Sequence, residues 1–246
     1  MYFSADRIVA DRPAGAPLQI GVFRMVAESR SAGARVGGDF FAFQAHGPKR
    51  LILMIGDACG RGREGARLLP SLLPRLEELS LVLAPPSRLL EALNRRAVEE
   101  LPGDRFVTGT VVELDAQAGV LTVANAGHVP TLLRKALGEV QLIGRASGPP
   151  LGILRESRYV DERHEFHAGD VVVFMTDGAL EAIETDLMAM GTLIALVAKA
   201  PATSAGVHSA LRAKLDHQAE QGLDDMTLLS IELNDDLGSR SFARGP

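Results

Sequence analysis

Four aspartates, spread from one end of the chain to the other, each follow or open an apolar, β-branched run. They stand in Val36-Gly37-Gly38-Asp39, Ile55-Gly56-Asp57, Met175-Thr176-Asp177-Gly178 and Asp224-Asp225-Met226-Thr227. Each is expected at a strand end, where a sheet holds a carboxylate rigidly while its head still reaches solvent. Gathered in one cleft, four carboxylates repel one another unless a cation lies between them. Hard divalent cations with oxygen ligands are the natural partner. The sequence therefore points to a fold built around a metal centre.

The order of elements narrows that fold. Residues 19–28, 40–44 and 51–56 read as strands, with a Gly47-Pro48 turn between the last two. A helical leucine spacing follows over 63–83, interrupted by Pro70 and Pro74, each of which removes a helical hydrogen bond. Ser87 is expected to cap a second helix running to about Leu101, with Glu91 just inside it. From Phe106 the pattern turns β-rich: strands are expected over 106–114, 120–125, 131–134, 158–166 and 171–176, the first two joined by an Asp115–Gly119 hairpin. Helices over 192–199 and 204–220 and a closing strand over 226–233 complete the reading. Strands in runs, with one helical pair early and one late, imply layered antiparallel sheet covered by helices, an α+β architecture. No internal repeat or long linker cuts the 246 residues. A single domain over 1–246 is expected, its core at about 19–233, with a loose lead-in and a mobile polar tail.

Composition removes several function classes. A net charge of −5 with no long basic run argues against nucleic acid as the main partner. The one cysteine, Cys59, excludes an intramolecular disulfide framework and suits a reducing cytoplasm. Nothing resembles a signal peptide or the roughly 20 apolar residues that span a bilayer. A cytoplasmic location without membrane association is expected.

Gly60-Arg61-Gly62-Arg63-Glu64-Gly65 spells G-x-G-x-x-G between a strand and a helix. A dinucleotide reading fails because Asp57 puts a carboxylate where phosphate would approach, and no second strand ends in an acidic residue about 20 positions later.

The longer segment Gly56-Asp57-Ala58-Cys59-Gly60-Arg61-Gly62 is more specific. Taken with Gly37-Gly38-Asp39, Asn125-Ala126-Gly127-His128-Val129-Pro130, Gly148-Pro149-Pro150-Leu151-Gly152, Thr176-Asp177-Gly178 and Asp224-Asp225-Met226-Thr227, it resembles the SpoIIE/RsbU-type branch of the metal-dependent type 2C (PPM) serine/threonine protein phosphatases. The resemblance covers about residues 19–233 and implies a four-layer α-β-β-α sandwich with two central, mostly antiparallel sheets. It further implies two Mn²⁺ or Mg²⁺ ions and hydrolysis of phosphoserine or phosphothreonine on a protein. By position, Asp57 would bridge the ions and the Ala58 backbone carbonyl would add a ligand. Asp39 would support one ion, directly or through water, and Asp177 and Asp224 would hold the other. The implied substrates are phosphorylated anti-anti-sigma (STAS-type) regulators in bacterial partner switching.

Other residues have blander readings. Asp225 neighbours a ligand and could replace it with a shift of register. Asn125 and His128 either contact substrate, support the metal site from behind, or tie down their own loop. Cys59 stands where eukaryotic relatives carry a histidine proposed as general acid, and reads as a small residue in a tight turn. His164 and His167 point to opposite faces of a strand and cannot share a metal. Relatives usually carry Asn…Gly-Glu-x-Phe-Gly after the Thr-Asp-Gly motif; here 185–191 read Thr-Asp-Leu-Met-Ala-Met-Gly, so recognition near that flap is expected to differ. With so few residues ahead of the first strand, control is expected from a partner, metal supply or self-association as a homodimer. Two rivals are a non-catalytic phosphoprotein-binding module of the same fold, which the intact aspartate set disfavours, and a small-molecule phosphoesterase.

Overall fold

Strands buried on both faces through their middles build two six-stranded sheets. The computed structural model describes residues 3–4, 15–30, 37–60, 65, 74, 84–101, 103–183, 189–218 and 225–234. One sheet runs β1 (Phe3–Ser4), β4 (Asp39–Ala45), β5 (Arg50–Ala58), β6 (Val107–Asp115), β7 (Val120–Ala126), β10 (Glu162–Glu165). The other runs β2 (Leu18–Ile20), β3 (Phe23–Arg30), β12 (Met226–Leu233), β11 (Val171–Met175), β8 (Thr131–Arg134), β9 (Val140–Ile143). Every strand pairing is antiparallel.

On β5, Leu51, Leu53 and Ile55 join Phe23, Phe41, Val112, Phe174 and Leu229 in the layer between the sheets. The alternate residues Ile52 and Met54 pack outward with Leu89, Leu90 and Leu93 of α1 (Pro86–Glu100). On the far side, Val171, Val173 and Leu228 pack against α3 (Ala189–Lys199) and α4 (Ser204–Gln218), with Ala179 of the short α2 (Asp177–Ile183). These four layers, α-β-β-α, match the architecture expected from the resemblance. A one-residue slip of β5 would turn Leu51, Leu53, Ile55 and Asp57 to the other face together, so the core also fixes where Asp57 points.

Local differences from the sequence reading have identifiable causes. The strand expected over 19–28 is two strands, because Gly21 turns at φ 57° and the Val22 N–H donates to the Pro48 carbonyl at 2.8 Å. Ser87 is not the cap of α1: Pro85 holds that position, and Asp161 accepts from both the Ser87 N–H (2.8 Å) and its hydroxyl (2.9 Å). The strand expected over 158–166 shortens to β10, since Tyr159 is pinned to the Pro149 carbonyl and the Val160 N–H to the Ser147 hydroxyl. β9, the short pairing of β1 and the helix α2 carry no strong periodicity and were not expected, and α3 begins at Ala189 rather than 192. The helix expected over 63–83 lies almost wholly outside the described residues. No helix among those described is long and apolar enough to cross a membrane.

Candidate metal centre

The layer between the sheets is apolar through its middle and polar at one end. Continuing the inward-facing positions of each strand leads from Phe41 to Asp39, from Ile55 to Asp57, from Val112 to Thr110 and Thr108, from Val123 to Asn125, from Phe174 to Thr176, and from Leu229 to Thr227. Six strands thus deliver polar side chains to one mouth. In the β4–β5 register Asp39 lies directly opposite Asp57, a like-charge pairing that destabilises a sheet unless something neutralises it. Asp177, at the start of α2, arrives from the other sheet. Ligand oxygens of Asp39, Asp57 and Asp177 all lie within 4.8 Å of one another.

A hydroxyl relay ties the cluster together. Thr176 Oγ1 donates to Asp39 Oδ2 at 2.6 Å and accepts from the Thr227 N–H at 2.8 Å, joining β4 of one sheet to β11 and β12 of the other. Burial pushes the Asp39 carboxyl up to about 7, the Thr176 and Thr227 hydrogen bonds oppose the rise, and the Asp225 and Asp177 charges reinforce it. A carboxyl raised in this way contributes stability below its ordinary pKa of 3.8 and loses it as pH rises through about 7. The metal-free protein is therefore expected to lose stability from this group between about pH 4 and 7, and a cation binding at pH 6 should displace close to one proton. Calorimetric Mn²⁺ titrations in buffers of different ionisation enthalpy measure that proton.

Backbone oxygens join the carboxylates. The Ala58 N–H donates to the Gly38 carbonyl at 3.1 Å. A Cβ on Gly38 would stand 2.7 Å from the Ala58 carbonyl oxygen and 2.9 Å from Asp57 Oδ1, and one on Gly65 would stand 2.6 Å from the same carbonyl. Glycine is required here to leave room around that oxygen. Gly38→Ala would crowd the Ala58 carbonyl and Asp57 and should weaken Mn²⁺ binding about tenfold or more, the range for groups that orient a metal ligand, read by calorimetry on a variant whose circular dichroism is unchanged.

Of the remaining expected site residues, Asp225 is buried and accepts the Gly38 N–H at 2.9 Å, so it braces the Gly37-Gly38 turn. Asp224 lies outside the described residues. Asn125 accepts the His128 N–H at 2.7 Å and donates to the His128 carbonyl at 3.0 Å, fixing its own loop. Cys59 Sγ accepts the Phe106 N–H at 3.2 Å, as a small half-buried turn residue can. His164 bonds Glu162 at 2.7 Å in a partly buried setting. Thr108, Thr176 and Thr227 escaped the sequence reading, although all three sit on the inward parity of their strands. An all-oxygen set without His or Cys among the described residues fits hard cations such as Mg²⁺ or Mn²⁺.

A family model described as Stage II sporulation protein E (SpoIIE) matches residues 47–234. The chain belongs to the SpoIIE family. It is 24% identical over 164 residues to the phosphoserine phosphatase RsbU of Bacillus subtilis (strain 168), covering 67% of this chain and 47% of RsbU. The solved RsbU and RsbW domains of Rv1364c from Mycobacterium tuberculosis match at TM-score 0.75 and 26% identity, over 89% of this chain and 62% of that one. The PP2C phosphatase domain of SpoIIE from Bacillus subtilis matches at TM-score 0.75 and 16% identity, over 86% of this chain and 64% of that one. The chain thus spans about half the length of RsbU and under two thirds of both solved chains. The SpoIIE-family fold seen here is that of the PP2C phosphatases, and Asp57, Asp177 and Asp224 all fall within the matched span.

Proposed function

We propose that this chain hydrolyses phosphoserine or phosphothreonine on a protein substrate in a metal-dependent reaction. The convergence of Asp39, Asp57 and Asp177 carries the reading. In this reading Asp57, Asp39, the Ala58 carbonyl, Asp177 and Asp224 would hold two divalent cations, with Asp57 as the ligand they would share, Asp39 and the Ala58 carbonyl supporting one, and Asp177 and Asp224 the other. Divalent cations held there would neutralise charge on the phosphoryl oxygens and lower the pKa of an attacking water. The chain's own part is to hold the donors: Thr176 orients Asp39, Asp225 braces Gly38, and the glycines keep the donor oxygens uncovered. Cys59, hydrogen-bonded to Phe106 through its sulfur, is not assigned a nucleophilic role.

Likeness to the phosphoserine phosphatase RsbU supports our reading of the substrate as a phosphorylated STAS-type regulator of partner switching, met in the cytoplasm. Turnover on a phosphoserine protein of that type, compared with a simple aryl phosphate, tests the assignment. The expected result is a kcat/KM for the phosphoprotein at least about tenfold higher, the contribution of roughly 1.4 kcal/mol of protein contacts. Equal or better turnover of the aryl phosphate would instead establish the small-molecule phosphoesterase.

A further inference from the structure

We propose that Ile153 and Leu154 form a docking shelf for the protein substrate, covered by an apolar side chain near its phosphoserine and rimmed by arginines that face acidic neighbours. The inference rests on the phosphoprotein reading above.

Among the described residues, the large apolar side chains that stand exposed are Leu137, Ile153, Leu154 and Val160. A single exposed leucine needs no explanation. Three of the four within residues 153–160 do, because this stretch is tied down. Leu151 exchanges both backbone hydrogen bonds with Val107, at 2.8 and 2.9 Å. The buried Asn94 of α1 accepts the Gly152 N–H at 3.0 Å and donates to the Leu154 and Arg155 carbonyls at 2.7 and 3.2 Å. The Ser157 hydroxyl donates to the Leu154 carbonyl as well, at 2.7 Å. A loose chain could fold its apolar side chains back onto the protein. This one holds Ile153 and Leu154 in water, at 50% and 59% exposure.

The shelf adjoins the mouth of the carboxylate cluster. Val107 lies opposite Ala58 in the β5–β6 register and bridges to Leu151 on its other side. Neighbouring strands are about 4.8 Å apart, so Leu151 stands roughly 10 Å from the Ala58 backbone, and Ile153 within about 7 Å of Leu151. A stable interface covers about 800 Å² on each partner, a patch roughly 16 Å in radius. A folded substrate that brings its phosphoserine to the cluster therefore reaches the shelf.

Charge around the shelf suits an acidic partner. Arg145, Arg155 and Arg158 against the single Glu156 leave residues 145–160 at a net +2, in a chain whose net charge is −5. Arg155 pairs with Glu99 of α1, and Arg158 shares Glu91 with Arg88. Both guanidinium side chains nonetheless remain mostly exposed. An apolar centre with a polar rim is the usual anatomy of a protein interface.

The test follows Mn²⁺-dependent phosphate release from two substrates. One is a phosphoserine protein of the proposed type; the other is a phosphoserine peptide of about three residues, which reaches only about 5 Å to either side of its phosphoserine and so misses the shelf. The variants are Ile153→Ser/Leu154→Ser, the conservative Ile153→Val/Leu154→Met, and Leu137→Ser in the turn between β8 and β9, where Arg134 pairs with the start of β11 far from Asp177. The double serine variant should raise KM for the phosphoprotein about tenfold or more, as loss of an interface anchor does, with kcat within about twofold. Its melting temperature and its kcat/KM on the peptide should match the parent. The conservative variant should stay within about threefold of the parent on the phosphoprotein, and Leu137→Ser should be indistinguishable from it. An unchanged phosphoprotein KM, or an equal loss on both substrates, overturns the inference and leaves the proposed function standing. If the double serine variant instead dissociates a parent dimer at unchanged KM, the shelf is a contact between copies and the inference falls. A parent that leaves the phosphoprotein intact overturns the proposed function itself.

Discussion

Asp57→Asn should abolish Mn²⁺-dependent phosphate release while leaving the metal-free fold as stable as the parent or more so. Asparagine keeps the shape of the side chain and removes its charge. Asp57 faces Asp39 across the β4–β5 ladder and lies within the three-carboxylate cluster. Removing one member relieves a like-charge pair, worth up to about 1 kcal/mol in a sheet. The same change removes a donor from the centre of the site, and the loss of activity should exceed the 10- to 100-fold typical of residues that only orient a ligand, reaching about 10³-fold. Opposite signs on stability and activity distinguish a functional carboxylate from a structural one. A variant that melts lower and retains activity would mean that Asp57 serves the fold.

The second large effect lies on the outer face, where Glu28 of β3 meets α4. The His208 imidazole, 3.5 Å away, does most to hold the buried Glu28 carboxyl at about 2, against the cost of burial, with Arg30 and Arg212 adding to it. A carboxyl depressed from 4.5 to about 2 contributes roughly 3 kcal/mol that is present above the ordinary pKa and lost as pH falls through the folded one. Glu28→Gln should therefore lower urea-unfolding stability at pH 7 by roughly 3 kcal/mol. Between about pH 4.5 and 2 the parent should lose that advantage and the two stability curves should converge. Parallel curves over that range would show that Glu28 is not held by charge. The more exposed Arg30–Asp216 pair on the same face should contribute less than about 1 kcal/mol.

The central strands, the polar mouth and the sheet edges differ in how legible they are from the sequence. Strands that read as apolar, β-branched runs, such as 51–56 and 106–114, are legible because one sheet face is buried between the sheets and the other beneath a helix. What periodicity alone did not reveal is that the inward face changes from apolar to polar at one end. Thr108, Thr176 and Thr227 look like ordinary β-branched strand residues, and only the paired strands place Thr108 opposite Asp57 and the Thr176 hydroxyl on Asp39 with the Thr227 N–H behind it. Asp39, Asp57 and Asp177 were legible as a set because each carries a glycine or threonine flank that frees or orients it. Asp225 was read as the neighbour of a ligand, whereas its contact with the Gly38 N–H depends on a turn 187 residues away in the chain. Short edge elements such as β9 and β10 were blurred for another reason: their boundaries are set by side-chain bonds from distant loops rather than by local pattern.

The central claim is that the carboxylate cluster is a cation site that drives phosphomonoester hydrolysis. Phosphate release from a phosphoserine protein by the chelator-stripped chain, followed as Mn²⁺ is added back, tests it most directly. No release is expected in chelator, and a saturable recovery with Mn²⁺. Release that continues unchanged in chelator would contradict it.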